Sequence, residues 1–327
     1  MTVDTRRGSA IIAAGAYRPA TVDSEEVARR LGVDREWIVS RTGVESRCQA
    51  GGAESVVAMA TTAAIEALHT AGTRATAVDA VVVATSTNPQ PCPAIAPQVA
   101  AALGLSVPAF DVNIACAGFC YALQVARSLI AVGDCRTVLV IGADRMLDIV
   151  DPDDRNTASV FADGAGAVVV TAVDGPSGVG PAVWGSVGSR ADALEVRPTQ
   201  FEAASPGSAR PALRMDGLAV TRWACATVPK VVTEILRVTG LVWDDVAALV
   251  PHQANWRLIK KIATTLEVPE KVVVADDVRV TGNTSAASVP LALQRLISSG
   301  QARSGQWAVL VGFGAGLAYA GQAIRIP

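Results

Sequence analysis

Five short runs of nearly unbroken apolar residues punctuate the chain, at positions 80–84, 138–141, 167–170, 247–250 and 308–311. They are rich in β-branched residues and do not alternate with polar ones. Each therefore predicts a strand covered on both faces. Between them, segments 54–71, 95–103, 118–132, 221–239, 257–266 and 288–299 read as helices. Strands alternating with helices predict a layered α/β architecture.

A weak internal repeat points to two related halves. Gly164-Ala165-Gly166 and Gly314-Ala315-Gly316 each follow a Val-rich run and lead into another apolar stretch. A duplicated unit places such turns at matching positions. The Gly- and Pro-containing stretch 173–183 then separates an N-terminal half, 1–175, from a C-terminal half, 176–327. Segment 188–214 is polar and irregular, and is expected to form a surface excursion that folds over the site.

Composition narrows the setting. Hydrophobic residues make up 50% of the 327 and aromatics only 4%, so the core must be built from Ala, Val, Leu and Ile. A core of that size needs no disulfides. The formal net charge of −2 gives no global reason to expect nucleic acid or a membrane surface as a partner. Met1 to Arg7 lacks the layout of a signal peptide, and no apolar run is expected to be long and uncharged enough to span a bilayer. The six cysteines are scattered without framework spacing, for which a reducing cytoplasm is the simplest setting.

Three distant runs carry candidate chemistry: Asn113-Ile114-Ala115-Cys116-Ala117-Gly118-Phe119, Pro251-His252-Gln253-Ala254-Asn255 and Gly282-Asn283-Thr284-Ser285-Ala286-Ala287-Ser288. Cys116 stands between an apolar stretch and a helix start, where unpaired N–H groups favour a thiolate. It also reads as a small buried apolar residue. Cys120, one helical turn on, reads as core rather than as a metal ligand, because no second Cys or His cluster completes a site. His252 is one of two histidines and follows a predicted strand, where α/β folds place their sites. An interior His satisfied by a carbonyl is the alternative. His69, in a predicted helix, reads as a surface residue. Asn283 follows Gly282 in a loop of small residues and reads equally as a turn residue. Gly312-Phe313-Gly314-Ala315-Gly316 is Gly-rich but has no Lys-Ser/Thr after it, so it is not a phosphate loop.

Together these runs resemble the Cys-His-Asn site of the β-ketoacyl-acyl carrier protein synthase III enzymes of the thiolase superfamily, and the resemblance extends from Ile11 to the C-terminal strand. It implies a duplicated thiolase-like fold with two pseudo-equivalent halves in five αβαβα layers. It also implies that acyl-coenzyme A acylates Cys116 and that malonyl-acyl carrier protein then condenses with the acyl-enzyme to give 3-ketoacyl-carrier protein. His252 and Asn283 would hold the extender's thioester carbonyl, and the backbone N–H groups of Cys116 and Ala315 would form the oxyanion hole. Relatives commonly have Gly at the place of Ala315.

By the same resemblance, Trp37, Arg41 and Arg155 flank the adenine of coenzyme A. Arg222 and Arg257 belong to a basic patch for the acidic carrier protein; Lys260 and Lys261 read equally as solvated surface charges. Cys92, just before Pro93, stands where relatives often put a bulky aromatic that reaches across a homodimer and floors the partner's acyl pocket. No metal and no cofactor are implied. Acyl transfer to a hydroxyl or amine, and a silent subunit, are the competing readings. The intact Cys-His-Asn set argues against both.

Overall fold

The apolar runs form the centres of two sheets in the computed structural model, which describes residues 7–205 and 207–327. Residues 1–6, where no targeting segment is expected, and Pro206 in the polar excursion lie outside that part. The first portion contains β1 (Gly8–Tyr17), an outlying pair β2 (Thr21–Asp23) and β3 (Ser46–Cys48), then β4 (Ala80–Ala84), β5 (Ala109–Val112), β6 (Thr137–Arg145) and β7 (Asp163–Val173). It is followed by β8 (Val183–Ser186), a hairpin of β9 (Leu194–Arg197) and β10 (Ala212–Met215), then β11 (Val246–Pro251), β12 (Val273–Val274), β13 (Trp307–Gly314) and β14 (Ala318–Arg325).

The two five-stranded sheets have the same plan. One runs β1-β7-β6-β4-β5 and the other β8-β14-β13-β11-β12. In both, the first two pairings are antiparallel and the last two parallel. This is the duplicated arrangement expected of a thiolase-like fold. The Gly-Ala-Gly repeat does not mark it. Gly164-Ala165-Gly166 lies inside β7, whereas Gly314-Ala315-Gly316 straddles the end of β13 and a turn.

Helices fill the layers around the sheets. α1 (Ser24–Leu31) and α2 (Arg35–Thr42) lie between β2 and β3 in the chain, and α3 (Val56–Thr70) and α4 (Ala96–Ala102) cover the outer face of the first sheet. α5 (Gly118–Val132) packs between the sheets. The short α6 (Arg155–Ala158) and α7 (Gln200–Ala203) follow, then α8 (Gly217–Thr239) and α9 (Trp256–Thr265) on the outer face of the second sheet. After α10 (Val278–Thr281), α11 (Ser288–Ser298) joins α5 in the central layer.

Sandwiching explains why the strand runs are apolar throughout. In β4, Val81 and Val83 pack outward among the α3 and α4 side chains, while Ala80, Val82 and Ala84 pack inward with α5. Both sets are buried, so neither position can be polar. Burying a Val or Leu fully is worth about 1.5–3 kcal/mol over exposing it, and all six cysteines are free thiols.

Two expectations need correction. Residues 115–132 are in fact long and apolar enough to cross a membrane, with mean hydropathy 1.5 over 18 residues. That segment is the start of the central layer and packs against both sheets, which accounts for its composition. The excursion 188–214 is also not irregular throughout, because the β9–β10 hairpin organises it.

Candidate active site

The two halves enter their central helices in the same way. Residues 113–118 and 283–288 each begin with Asn, pass through a 3₁₀ turn (Ala115–Ala117 and Ser285–Ala287) and open a central helix. In each turn a non-glycine residue takes a left-handed conformation, Ala115 at φ 42° and Ser285 at φ 51°. Such residues cost on the order of 1 kcal/mol or more and persist where packing fixes them. The turns lie against each other.

This meeting brings Cys116, His252 and Asn283 onto one cavity of about 90 Å³, walled by Phe161, Leu194, Met215 and Phe313. Leu194 and Met215 come from the β9–β10 hairpin, so the excursion does cover the site. His252 follows the end of β11, and its N–H is held by the Val311 carbonyl at 2.7 Å.

The His252 ring is fixed from both sides. Nδ1 lies 2.7 Å from Ser288 Oγ, and Phe313 meets the ring edge-on at 5.3 Å. Ser288 Oγ accepts the Gln253 N–H, which leaves its hydroxyl hydrogen for Nδ1. We assign the imidazole proton to Nε2 on that ground. Burial pushes the imidazole down to about 3, so it is neutral at physiological pH. The linked stability is complete above the ordinary value of 6.5 and is lost as pH falls toward 3, because the unfolded chain then takes a proton that the buried ring refuses.

Asn283 is oriented by its neighbours. Its Oδ1 accepts the Ser285 N–H at 2.9 Å, which turns the amide nitrogen the other way. Nδ2 donates one hydrogen to the Ala254 carbonyl at 3.3 Å. The second hydrogen meets no acceptor among the described residues. The cavity thus holds two neutral donors, an arrangement suited to an oxygen that gains negative charge.

Cys116 is 4% exposed, and its Sγ donates to Ser285 Oγ at 3.5 Å. Burial pushes the thiol up to about 12, and the Asp144 carboxylate adds to that shift. The preference for thiolate expected at a helix start is therefore overridden. Desolvation outweighs the helix end. Gly314 leaves the sulfur its room: a Cβ there would stand 2.8 Å from Cys116 Cβ and 3.0 Å from Sγ. Gly314→Ala is expected to slow acylation of Cys116 by about 100-fold, as a 1 Å misplacement does. Single-turnover mass measurements check this, and an unchanged rate would show that the turn can yield. Ala315 itself is outside the left-handed region, which Gly316 occupies at φ 103°. Alanine is accommodated at 315, and turn 315–317 packs on the Cys116 turn.

The other predicted residues lie outside this cavity. Arg41 stacks over Trp37 at 4.5 Å on α2. Arg155 reaches back to α1, with Nε donating to the Leu31 carbonyl at 3.1 Å. Arg222 and Arg257 are exposed and adjoin cavity residues, Thr221 beside the first and Asn255 two before the second. Cys92 is exposed and does not line its own chain's cavity.

Sequence reasoning gave no site role to Ser285, Ser288 or Gly314. Aligning 113–118 with 283–288 would have pointed to Ser285 and Ser288 as turn and helix-start residues. Trp256 was also missed. It packs against Gly43, whose φ of 75° and whose 2.5 Å Cβ approach to Trp256 leave room only for glycine.

The layered fold and this thiol, imidazole and amide define a condensing enzyme. The family comparisons agree. Models described as 3-oxoacyl-[acyl-carrier-protein] synthase III and its C-terminal part match residues 110–188 and 236–326. Beta-ketoacyl-[acyl-carrier-protein] synthase III 1 of Streptomyces coelicolor is 42% identical, covering 97% of this chain and 96% of its own. The mycobacterial beta-ketoacyl-[acyl-carrier-protein] synthase III of Mycobacterium avium is 43% identical over 97% and 95%. Among solved structures, the priming β-ketosynthase of the R1128 polyketide pathway is similar at TM-score 0.96 and 43% identity, covering 100% of this chain and 98% of that one. The synthase III of Pseudomonas aeruginosa is similar at TM-score 0.93 and 39% identity, covering 98% and 99%. The chain belongs to the 3-oxoacyl-[acyl-carrier-protein] synthase III family.

Proposed function

We propose that this chain primes a fatty acid or polyketide pathway. Cys116 takes an acyl group from acyl-coenzyme A, and the acyl-enzyme then condenses with malonyl-acyl carrier protein. The observation that carries this reading is the convergence of Cys116 with two neutral donors, His252 and Asn283, in one buried cavity. In the first step a new carbon–sulfur bond forms at Cys116 and coenzyme A leaves as the thiol, taking up the proton that Cys116 loses. The N–H groups of Cys116 and Ala315 receive the charge on the tetrahedral oxygen.

In the second step the bond from the malonyl carbon to its carboxylate breaks. Carbon dioxide leaves and the electron pair forms an enolate, whose oxygen accepts from His252 Nε2 and Asn283 Nδ2. The enolate carbon attacks the acyl-enzyme carbonyl and expels the Cys116 sulfur, which takes one proton from solvent to become the thiol again, giving the 3-ketoacyl thioester. Every electron pair moved belongs to a reactant or to Cys116, so the chemistry requires no cofactor.

Trp37, Arg41 and Arg155 would flank the adenine and its phosphates, which suits the paired donors of Arg. Arg222 and Arg257, exposed and close in sequence to residues that line the cavity, would receive the carrier protein. We also read the chain as two halves, 1–175 and 176–327, in a cytoplasmic homodimer. Intact-protein mass after acyl-coenzyme A, then with and without malonyl-carrier protein, tests the central proposal. Malonyl-dependent discharge with loss of carbon dioxide supports it. Discharge by a small alcohol or amine instead would indicate simple acyl transfer, and no acylation a silent subunit.

In such a homodimer Cys92 would stand at the partner's acyl pocket, a reading supported by its exposure and its absence from the lining of its own cavity. A residue this small leaves a deep pocket, in which each added methylene is worth about 0.8 kcal/mol. Rates should rise from acetyl- to longer acyl-coenzyme A, and Cys92→Phe should move the optimum back toward acetyl. An unchanged chain-length profile would show that another side chain sets the floor.

A further inference from the structure

The buried carboxylate of Asp144 takes no part in the chemistry above. It lies near the end of β6, fully buried, and no ion pair involves it among the described residues. A lone buried charge costs several kcal/mol unless donors surround it. Here they do. Oδ1 accepts from Thr85 Oγ1, Ser86 N, Ser86 Oγ and Thr87 Oγ1 at 2.8–3.2 Å. Oδ2 accepts the Ala286 N–H at 3.0 Å. The first group belongs to the loop after β4. The second is the active-site turn 285–287.

That turn holds two of the three reacting groups. The Ser285 N–H fixes the Asn283 amide, and Ser285 Oγ receives the Cys116 thiol hydrogen. Its left-handed residue is the strained one, and Asp144 holds the next N–H along. Gly142, two residues before Asp144, allows the approach, since a Cβ there would meet the Ala286 carbonyl oxygen at 2.3 Å. A charge-assisted bond from a rigid strand end to a strained turn is a strong anchor.

We propose that Asp144 is a positioning residue that pins the Ser285 turn and so keeps the Cys116 thiol aimed until a thioester enters. The aim of the Asn283 amide rests on the same anchor. Part of this inference, the benefit to acyl transfer, depends on the function proposed above. The effect on the thiol does not. The groups facing Cys116 are few: burial is the main cause that disfavours the thiolate and the Asp144 charge adds to it, the Ser285 hydroxyl accepts the thiol hydrogen at rest and can turn to donate to a thiolate, and His252 on the same cavity is neutral. Burial raises Asp144 itself above the usual carboxylate range, while its donors pull it back.

The two side chains therefore predict shifts of opposite sign, which a scaffold role does not. The rate of Cys116 alkylation by iodoacetamide is followed against pH in the full-length protein, with modified peptides mapped to exclude Cys92. Asp144→Asn should move the midpoint down by about one unit, a typical effect of removing a nearby charge, and speed alkylation at neutral pH. Acylation by acyl-coenzyme A should nevertheless fall at least about tenfold, because the aim is lost. Ser285→Ala should move the midpoint up. An unmoved or raised midpoint in Asp144→Asn overturns the proposal. If that variant does not fold, a lowered or unmoved midpoint in Ser285→Ala overturns it alone. Should the midpoints shift as stated while native protein takes no acyl group, the functional reading fails and the role of Asp144 stands.

Discussion

Cys116→Ala is expected to abolish covalent labelling by acyl-coenzyme A and to lower condensation by on the order of 10⁴-fold or more, as loss of a covalent nucleophile does. The structure makes the assignment specific among six thiols. Cys116 is the one cysteine on the cavity that holds His252 and Asn283. Cys120, one turn along α5, is fully buried in the central layer with its thiol also pushed up to about 12. Cys92 is exposed in the single chain and does not line the cavity that holds His252 and Asn283. Peptide mapping after brief incubation therefore separates the cases. An acyl group found on Cys120 or Cys92 in the native protein, or retained by Cys116→Ala, would refute the assignment.

Asn283→Ala should have a different signature. Losing one donor to a developing oxyanion typically costs about 100- to 1,000-fold, and here the loss should fall on decarboxylation. Acylation should suffer much less, because the amide touches Cys116 only through Ser285. Single-turnover acylation and malonyl-dependent release of carbon dioxide, measured on the same preparation, give the two rates. Equal losses in both would show that Asn283 mainly supports the nucleophile. With His252 held near a value of 3, decarboxylation by the native protein should show no inflection around pH 6.5.

Much of this was visible in the sequence because burial leaves a plain mark. A strand covered on both faces must be apolar at every position, so the runs at 80–84 and 308–311 announced β4 and β13 directly. The candidate reacting groups were legible for another reason: a thiol, an imidazole and an amide stand in short runs that resemble one family. What stayed hidden depends on long-range placement. Ser285 and Asp144 are 141 positions apart, and neither type is unusual in a loop or at a strand end. The resting state of Cys116 was misjudged because a helix start is a local signal, whereas desolvation is set by the whole enclosing cavity. The Gly-Ala-Gly pair misled because two glycines serve turns and close contacts alike. At Gly166 the demand is room for Pro290 and Leu291, with a Cβ there 2.9 Å from each.

The matched turns at 115–117 and 285–287 give one cavity two unlike walls. Position 116 in one copy corresponds to 286 in the other, and Asn113 corresponds to Asn283. One turn carries the thiol and the other carries alanine at the matching place. Each half also presents its central helix to the other half's sheet. A pocket between two identical turns would be symmetric, with the same groups on both sides. Two unlike turns in one chain remove that constraint, so the wall that carries the thiol differs from the wall that carries the amide.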